Sequence, residues 1–189
     1  SRGPLNGLGI LFQAQNLMAD LYDHVNQPVK RDELRQRSVT LKRLLNEHAW
    51  DGDWYVYGFT GTGKPIGSSK NREGRIHLNA QTWAIFTGIA DPEQTRRMRQ
   101  AIREHLDTPV GPALLSPPYV HEAAEVGRIA RLEPGTFENG SVYQHAVSFK
   151  ILADLAAGDA EEAMRTLARM LPTNPDNPDS RRTGEPYAM

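Results

Sequence analysis

The sequence predicts a mainly helical protein: three helical hairpins in series, as in an α/α toroid, with a short β-hairpin in one long loop. Three observations carry this. Apolar residues recur at helical spacing in six segments that fall into consecutive pairs. In the second and third pairs one helix is rich in alanine, aromatic and small polar residues while its partner carries charge on one face, as buried inner and half-exposed outer helices do. No repeat of fixed period is present, which argues against a solenoid.

The first pair is 8–25 and 31–50, separated by Gln27-Pro28, with Leu34, Leu41, Leu44, Leu45 and His48 near helical spacing. The second is 76–90 and 92–106. Asp91 suits an N-cap and Pro92 the first helical position. Met98, Ile102 and Leu106 form an i, i+4 stripe. The third pair is 140–157 and 160–171, with Gly158 stopping one helix and Asp159 capping the next. Two long segments, 50–75 and 108–139, contain Trp, Tyr and Pro rather than low-complexity sequence and read as ordered, functional loops.

The stretch GFTGTGK (58–64) has the glycine spacing of a phosphate-binding P-loop. The next residue is Pro65, where such a loop needs a Ser or Thr hydroxyl for Mg²⁺, and the polar residues that follow do not form a helix. A β-hairpin turn explains Gly61, Gly63 and Pro65 more simply.

The chain has 189 residues, enough for one real core, and a formal net charge of -1, so no global field recruits nucleic acid or an anionic membrane. No apolar run approaches the ~20 residues of a membrane span. Cysteine is absent, which excludes disulfides and thiolate zinc sites and fits a cytoplasmic protein. His121-Glu122 with Glu125 is half of a zinc motif that lacks its second histidine, so no metal is expected.

Candidate chemistry concentrates in the loops. Asp51 and Asp53 flank Gly52 between Trp50 and Trp54. In extended chain they would point to opposite sides. A carboxyl beside Trp50 can serve as a general acid, and tryptophan is a platform for a sugar ring; the plainer alternative is a turn with both tryptophans as core anchors. Arg128 and Arg131 bring two guanidinium groups to one loop and suit an anionic ligand, or merely solvate it. Glu138 precedes the third inner helix, where it can cap the N-terminus. His145 lies on that helix between Tyr143 and Phe149, as a core residue or a ligand.

Four segments, in this order, resemble the glycoside phosphorylases of glycoside hydrolase family 94: HAWDGDWY (48–55), GKPIGSSKNREGRIHLNAQTWAIFTGIA (63–90), GPALLSPPY (111–119) and EPGTFENGSVYQHA (133–146). The resemblance implies a catalytic (α/α)6 barrel that cleaves a β-glucosidic bond with inorganic phosphate, giving α-glucose 1-phosphate with inversion. One carboxylic acid protonates the leaving oxygen, and phosphate replaces the water of an inverting glycosidase. It also implies Asp51 as general acid, His145 as a phosphate contact and Glu138 beside the sugar, with no cofactor besides phosphate as co-substrate. The rival on the same barrel is an inverting hydrolase with Glu138 or Glu125 as base. The rival from another class is a non-catalytic helical interaction module.

Departures from the family pattern cluster on the acceptor side. Val56-Tyr57-Gly58 stands where Leu-Arg-Ala is usual, Arg128 and Leu132 where an acid and an aromatic are usual, and VSFK follows His145 instead of Asn-Pro-Trp. They point away from cellobiose toward an aldonate acceptor, as in the cellobionic acid phosphorylases, with Arg128, Arg131 and Lys150 as its contacts and Trp50 against the sugar. The family's β-sandwich, further barrel helices and Thr-Gly phosphate loop are not found in the sequence. Residues 1–172 therefore read as part of the barrel and 173–189 as a Pro/Asn-rich tail leading to further helices. Uncovered inner-helix surface predicts self-association, as a homodimer, and an inactive isolated fragment.

Overall fold

The computed structural model describes residues 5–121 and 125–177, the side chain of residue 6 apart. Glu122 of the half zinc motif and residues 178–189 of the tail lie outside the described residues. The helices are α1 (Leu5–His24), α2 (Pro28–His48), α3 (Leu78–Phe86), α4 (Pro92–His105), α5 (Gln144–Ala156) and α6 (Ala160–Met170). They are the three expected hairpins in the expected order.

Local chemistry fixes their ends. Proline occupies the first turn of α2 and of α4. Asp91 and Gln94 form a reciprocal capping box on α4, and Asp159 accepts from the Glu162 N–H to start α6. Gly158, at φ +78°, turns the chain between α5 and α6. The stripe of Met98, Ile102 and Leu106 is buried as expected.

Two inner helices begin later than their apolar pattern suggests. Ile76 and His77 form β3, paired antiparallel with Leu115 and Ser116 of β4, so α3 starts only at Leu78. Residues 140–143 are held by the preceding loop instead of by a helix. Ser141 O accepts from Leu114 N–H at 2.8 Å, and Gly140 lies against Pro118. In both places tertiary hydrogen bonds compete with the local propensity and win. The P-loop-like stretch is a hairpin, as expected: β1 (Gly58–Phe59) pairs antiparallel with β2 (Pro65–Ile66).

α1 packs on α2 and α3, α3 on α5, and α5 on α6. α1 meets α3 at Gly9, where a Cβ would stand 3.4 Å from the Trp83 side chain, in ordinary contact. α3 is buried along most of its length, through Leu78, Ala80, Gln81, Thr82, Ala84 and Ile85. This is an inner row α1–α3–α5 backed by α2, α4 and α6, part of an (α/α) barrel. The links inside each hairpin are short (25–27, 87–91, 157–159), whereas those between hairpins are long (49–77, 106–143). By connectivity both long links lie at the same end, where α3 and α5 begin.

Candidate functional site

The long links are stitched together and to the helices by buried polar side chains. Gln81 of α3 treats Tyr55 as a strand partner: its Oε1 accepts from Tyr55 N–H and its Nε2 donates to Tyr55 O, both at 2.9 Å. Asn139 clasps Tyr119 in the same way, at 2.8 and 2.9 Å, and also donates to Leu132 O. The buried Glu73 carboxylate accepts from the N–H groups of Val120 and His121 and bonds the His121 ring at 2.8 Å. His77 is fully enclosed, stacked 4.4 Å from Tyr57 and 3.2 Å from the Tyr119 hydroxyl, and burial lowers its pKa to about 3. It is therefore neutral at ordinary pH.

Residues 50–55 form a tight turn rather than an extended strand. Trp50 bridges Tyr55, Asp51 N–H donates to Trp54 O, and Gly52 takes φ +94°. The two aspartates still part company. Asp53 is exposed and lies 3.5 Å from Arg97 of α4, whose guanidinium also bonds Gly52 O. Asp51 turns to the next loop, where its Oδ2 accepts from the Ser68 hydroxyl at 3.1 Å and from Ser69 N–H at 2.5 Å. Its Oδ1 makes no hydrogen bond to a described residue. Trp54 is buried, and its indole N–H is shared between Gly67 O and Arg75 O, both at 3.0 Å. Trp50 is half-buried, edge-on to Tyr55 at 5.0 Å. The turn and the core anchoring are thus both real, and the Asp51 carboxylate is held in addition.

A cleft of about 410 Å³ lies beside this loop, lined by Thr60, Lys64, Asn71, Glu73, Tyr119 and Glu125 among others. Asn71 connects the cleft to Asp51, because its Oδ1 accepts from Ser68 N–H.

His145 is not a core residue. It is exposed in the first turn of α5, edge-on to Phe149 at 4.8 Å, and Phe149 in turn contacts Trp83 of α3 at 4.9 Å. A helix N-terminus with a histidine in its first turn is favourable ground for an anion. Glu138 does not cap α5, which has Tyr143 at its N-cap and no side-chain cap. One Glu138 oxygen is buried without a hydrogen bond, and the other lies 3.9 Å from Arg128. The preceding Phe137 is held at φ +43°, a left-handed conformation that a bulky residue adopts only under constraint.

Arg128 and Arg131 are the ends of a single 3₁₀ turn (Arg128–Arg131). Side chains three apart eclipse in that geometry, so both guanidiniums leave from one side, and both are exposed. Lys150 is placed elsewhere. It is buried between α5 and α6, 2.6 Å from Glu162, 2.7 Å from Asp154 and 2.9 Å from the Thr166 hydroxyl. Five residues are 1.4 turns, so Lys150 points about 140° away from His145 on the same helix. Its ammonium is fully engaged inside the fold and is not presented to an acceptor sugar.

The structure thus brings together Asp51 with Ser68 and Ser69, and Arg128 with Glu138. It sets His145 at the loop end of α5 and turns Lys150 away. The serines, Gln81, Glu73 and Asn139 were not singled out from sequence. Their one signal is polarity inside otherwise apolar or turn-rich segments, and the partners that tie the links together (Asp51, Tyr55, Tyr119 and the backbone of Val120 and His121) are 17 to 48 residues distant. Among the described residues no cluster of three or more His, Cys, Asp or Glu could hold a metal ion, and no helix is long and apolar enough to cross a membrane.

The pattern of the Glycosyl hydrolase 94 superfamily, catalytic domain, matches residues 8–189. The chain belongs to that family. It is 38% identical to a solabiose phosphorylase of Paenibacillus borealis, over 98% of this chain and 26% of the relative. It is 42% identical to a 3-O-beta-D-glucopyranosyl-beta-D-glucuronide phosphorylase of the same organism, over 93% of this chain and 24% of the relative. A cellobionic acid phosphorylase of Neurospora crassa is 34% identical over 90% of this chain and 22% of the relative. The chain thus spans about a quarter of the length of these relatives. Among solved structures, neutral trehalase Nth1 from Saccharomyces cerevisiae superposes with a TM-score of 0.64 at 12% identity, covering 86% of this chain and 29% of the trehalase. That likeness supports the barrel fold alone.

Proposed function

We propose that this chain is part of an inverting glycoside phosphorylase that transfers glucose from a β-glucoside to phosphate. In the full-length enzyme Asp51 gives its proton to the glycosidic oxygen as the C1–O bond breaks. A hydrogen phosphate oxygen bonds C1 from the opposite face, and its proton restores Asp51. The products are α-glucose 1-phosphate and the free acceptor alcohol. Phosphate is itself the nucleophile, so a second carboxylate base is not required. The observation that carries this reading is the Asp51 carboxyl, held through one oxygen with the other left open, on the family's Trp-Asp-Gly motif. His145, in the first turn of α5, is the proposed phosphate contact.

The acceptor is proposed to carry a carboxylate. Two exposed guanidiniums on one side of a single turn match a planar anion. Two of the relatives are named for sugars that bear a carboxylate. The supported class is an aldonate or a uronate, with Arg128 and Arg131 as its contacts.

Phosphate dependence tests the reaction. The full-length enzyme should release α-glucose 1-phosphate from a β-glucosyl disaccharide only when phosphate is present; release of free glucose without phosphate would establish the inverting hydrolase instead. An acceptor screen in the reverse direction tests the anion site. Gluconate or glucuronate should exceed glucose in kcat/KM, and Arg128→Ala should erase at least about tenfold of that preference, the worth of one charge-assisted hydrogen bond. Equal use of glucose would remove the carboxylate acceptor and leave the phosphorylase reading in place.

A further inference from the structure

We infer that Ser68 is a positioning residue for Asp51, and that its hydroxyl determines which carboxyl oxygen carries the proton to the leaving group. The inference rests on the general-acid reading of Asp51. The Ser68 hydroxyl and the Ser69 N–H both point at one oxygen, Oδ2, at 3.1 and 2.5 Å. In the protonated form that a general acid requires, the oxygen that accepts both hydrogen bonds is the carbonyl-like one, which leaves the proton on Oδ1. Oδ1 is the oxygen without a described partner, and hence the one free to meet a glycosidic oxygen.

The serine is itself held. Its oxygen accepts from Lys70 N–H at 3.2 Å, which leaves the hydroxyl proton for Asp51. Its N–H donates to Asn71 Oδ1 at 2.8 Å, while Asn71 N–H returns to Ser68 O at 2.9 Å. Ser68 is 1% exposed, so water does not replace the hydroxyl when it is lost. The loop is in turn registered against the turn that bears Asp51, because the Trp54 indole bonds both Gly67 O and Arg75 O. Gly67 admits no side chain: a Cβ would stand 2.6 Å from Tyr57 N, at φ +85°. Every part of this arrangement fixes the distance from Ser68 to Asp51.

The alternative is that Ser68 merely closes its own turn. Leaving-group dependence separates the two. A disaccharide needs a proton on its leaving oxygen, whereas a dinitrophenyl β-glucoside departs as a stable phenolate and does not. The experiment measures phosphate-dependent kcat/KM of the full-length enzyme on both substrates, for wild type, Ser68→Ala and Asp51→Asn. The ratio of the two rates on one sample is independent of the folded fraction. Ser68→Ala should lose roughly tenfold on the disaccharide and little on the dinitrophenyl glucoside, in the same direction as Asp51→Asn. If Asp51→Asn shows the leaving-group pattern and Ser68→Ala does not, the positioning role is overturned. If Asp51→Asn loses equally on both substrates, the general-acid reading itself fails.

Discussion

Two ionic clusters in this chain use the same residue types and end in opposite states. Between α4, α5 and α6, Lys150 meets Asp154 and Glu162, Arg165 closes on Glu162, and Arg99 reaches Asp154 and Asp159. Burial pushes the Asp154 carboxyl up. It also pushes Glu162 up, but hydrogen bonds from Lys150 and Arg165 outweigh it and hold that carboxyl below its usual range. At the loop end, by contrast, Arg128 and Arg131 are exposed, Glu138 keeps one buried oxygen without a hydrogen bond, and the backbone at Phe137 is strained. The first cluster faces every buried carboxylate with a cation and joins three helices; even Asp154 Oδ2, which makes no hydrogen bond, lies 2.7 Å from the Lys150 ammonium. The second leaves hydrogen-bonding capacity that a ligand can fill. A charged side chain therefore reads as functional here only where the fold has not already spent it.

The largest effect that would break this contrast is at Asp51. Asp51→Asn should lower phosphorolysis by a factor on the order of 10² to 10⁴, with Tm little changed. Asp53→Asn, whose partner is an exposed arginine, should do far less. Equal losses at both positions would take the acid role from Asp51. Next comes Lys150→Met, which leaves two buried carboxylates short of a cation and should cost about 3–5 kcal/mol of stability, measured by urea denaturation. His145→Ala should raise the KM for phosphate several-fold more than that for the disaccharide, in steady-state kinetics with each substrate varied. An equal rise in both constants would remove the phosphate contact.

The smallest effect is a slope. His77 binds no proton in the folded state until about pH 3, whereas an unfolded histidine protonates near pH 6.5. Between those values the unfolded chain holds the extra proton, so stability falls as pH falls, by up to ~1.4 kcal/mol per pH unit from this group. His77→Gln, titrated beside the parent from pH 7 to pH 4, should show a shallower decline. Parallel curves would mean that His77 is protonated in the fold.

Much of the fold was legible because its signals are local. Asp91-Pro92 and Gly158-Asp159 mark helix ends by capping chemistry that needs no distant partner. The hairpin at 58–66 was legible from its glycines and Pro65. The late starts of α3 and α5 were not, because they depend on β4 and on Leu114 reaching across the chain. The candidate site was legible as motifs and illegible as geometry. Asp51 stood out between two tryptophans, but the serines that hold it lie 17 and 18 residues away. Lys150 was assigned to the acceptor because it shares a helix with His145, yet its environment is decided by Glu162 on a different helix.

The measurement that tests the contrast most directly takes Asp51→Asn and Lys150→Met side by side in the full-length enzyme. For each, Tm and the rate of α-glucose 1-phosphate release per folded molecule are read on the same preparation. The expected result is a crossing: Asp51→Asn keeps its Tm and loses its rate, while Lys150→Met loses Tm and keeps its rate. A Lys150→Met enzyme that melts like the parent but turns over a hundredfold more slowly would contradict the account, because the buried cluster would then belong to the chemistry.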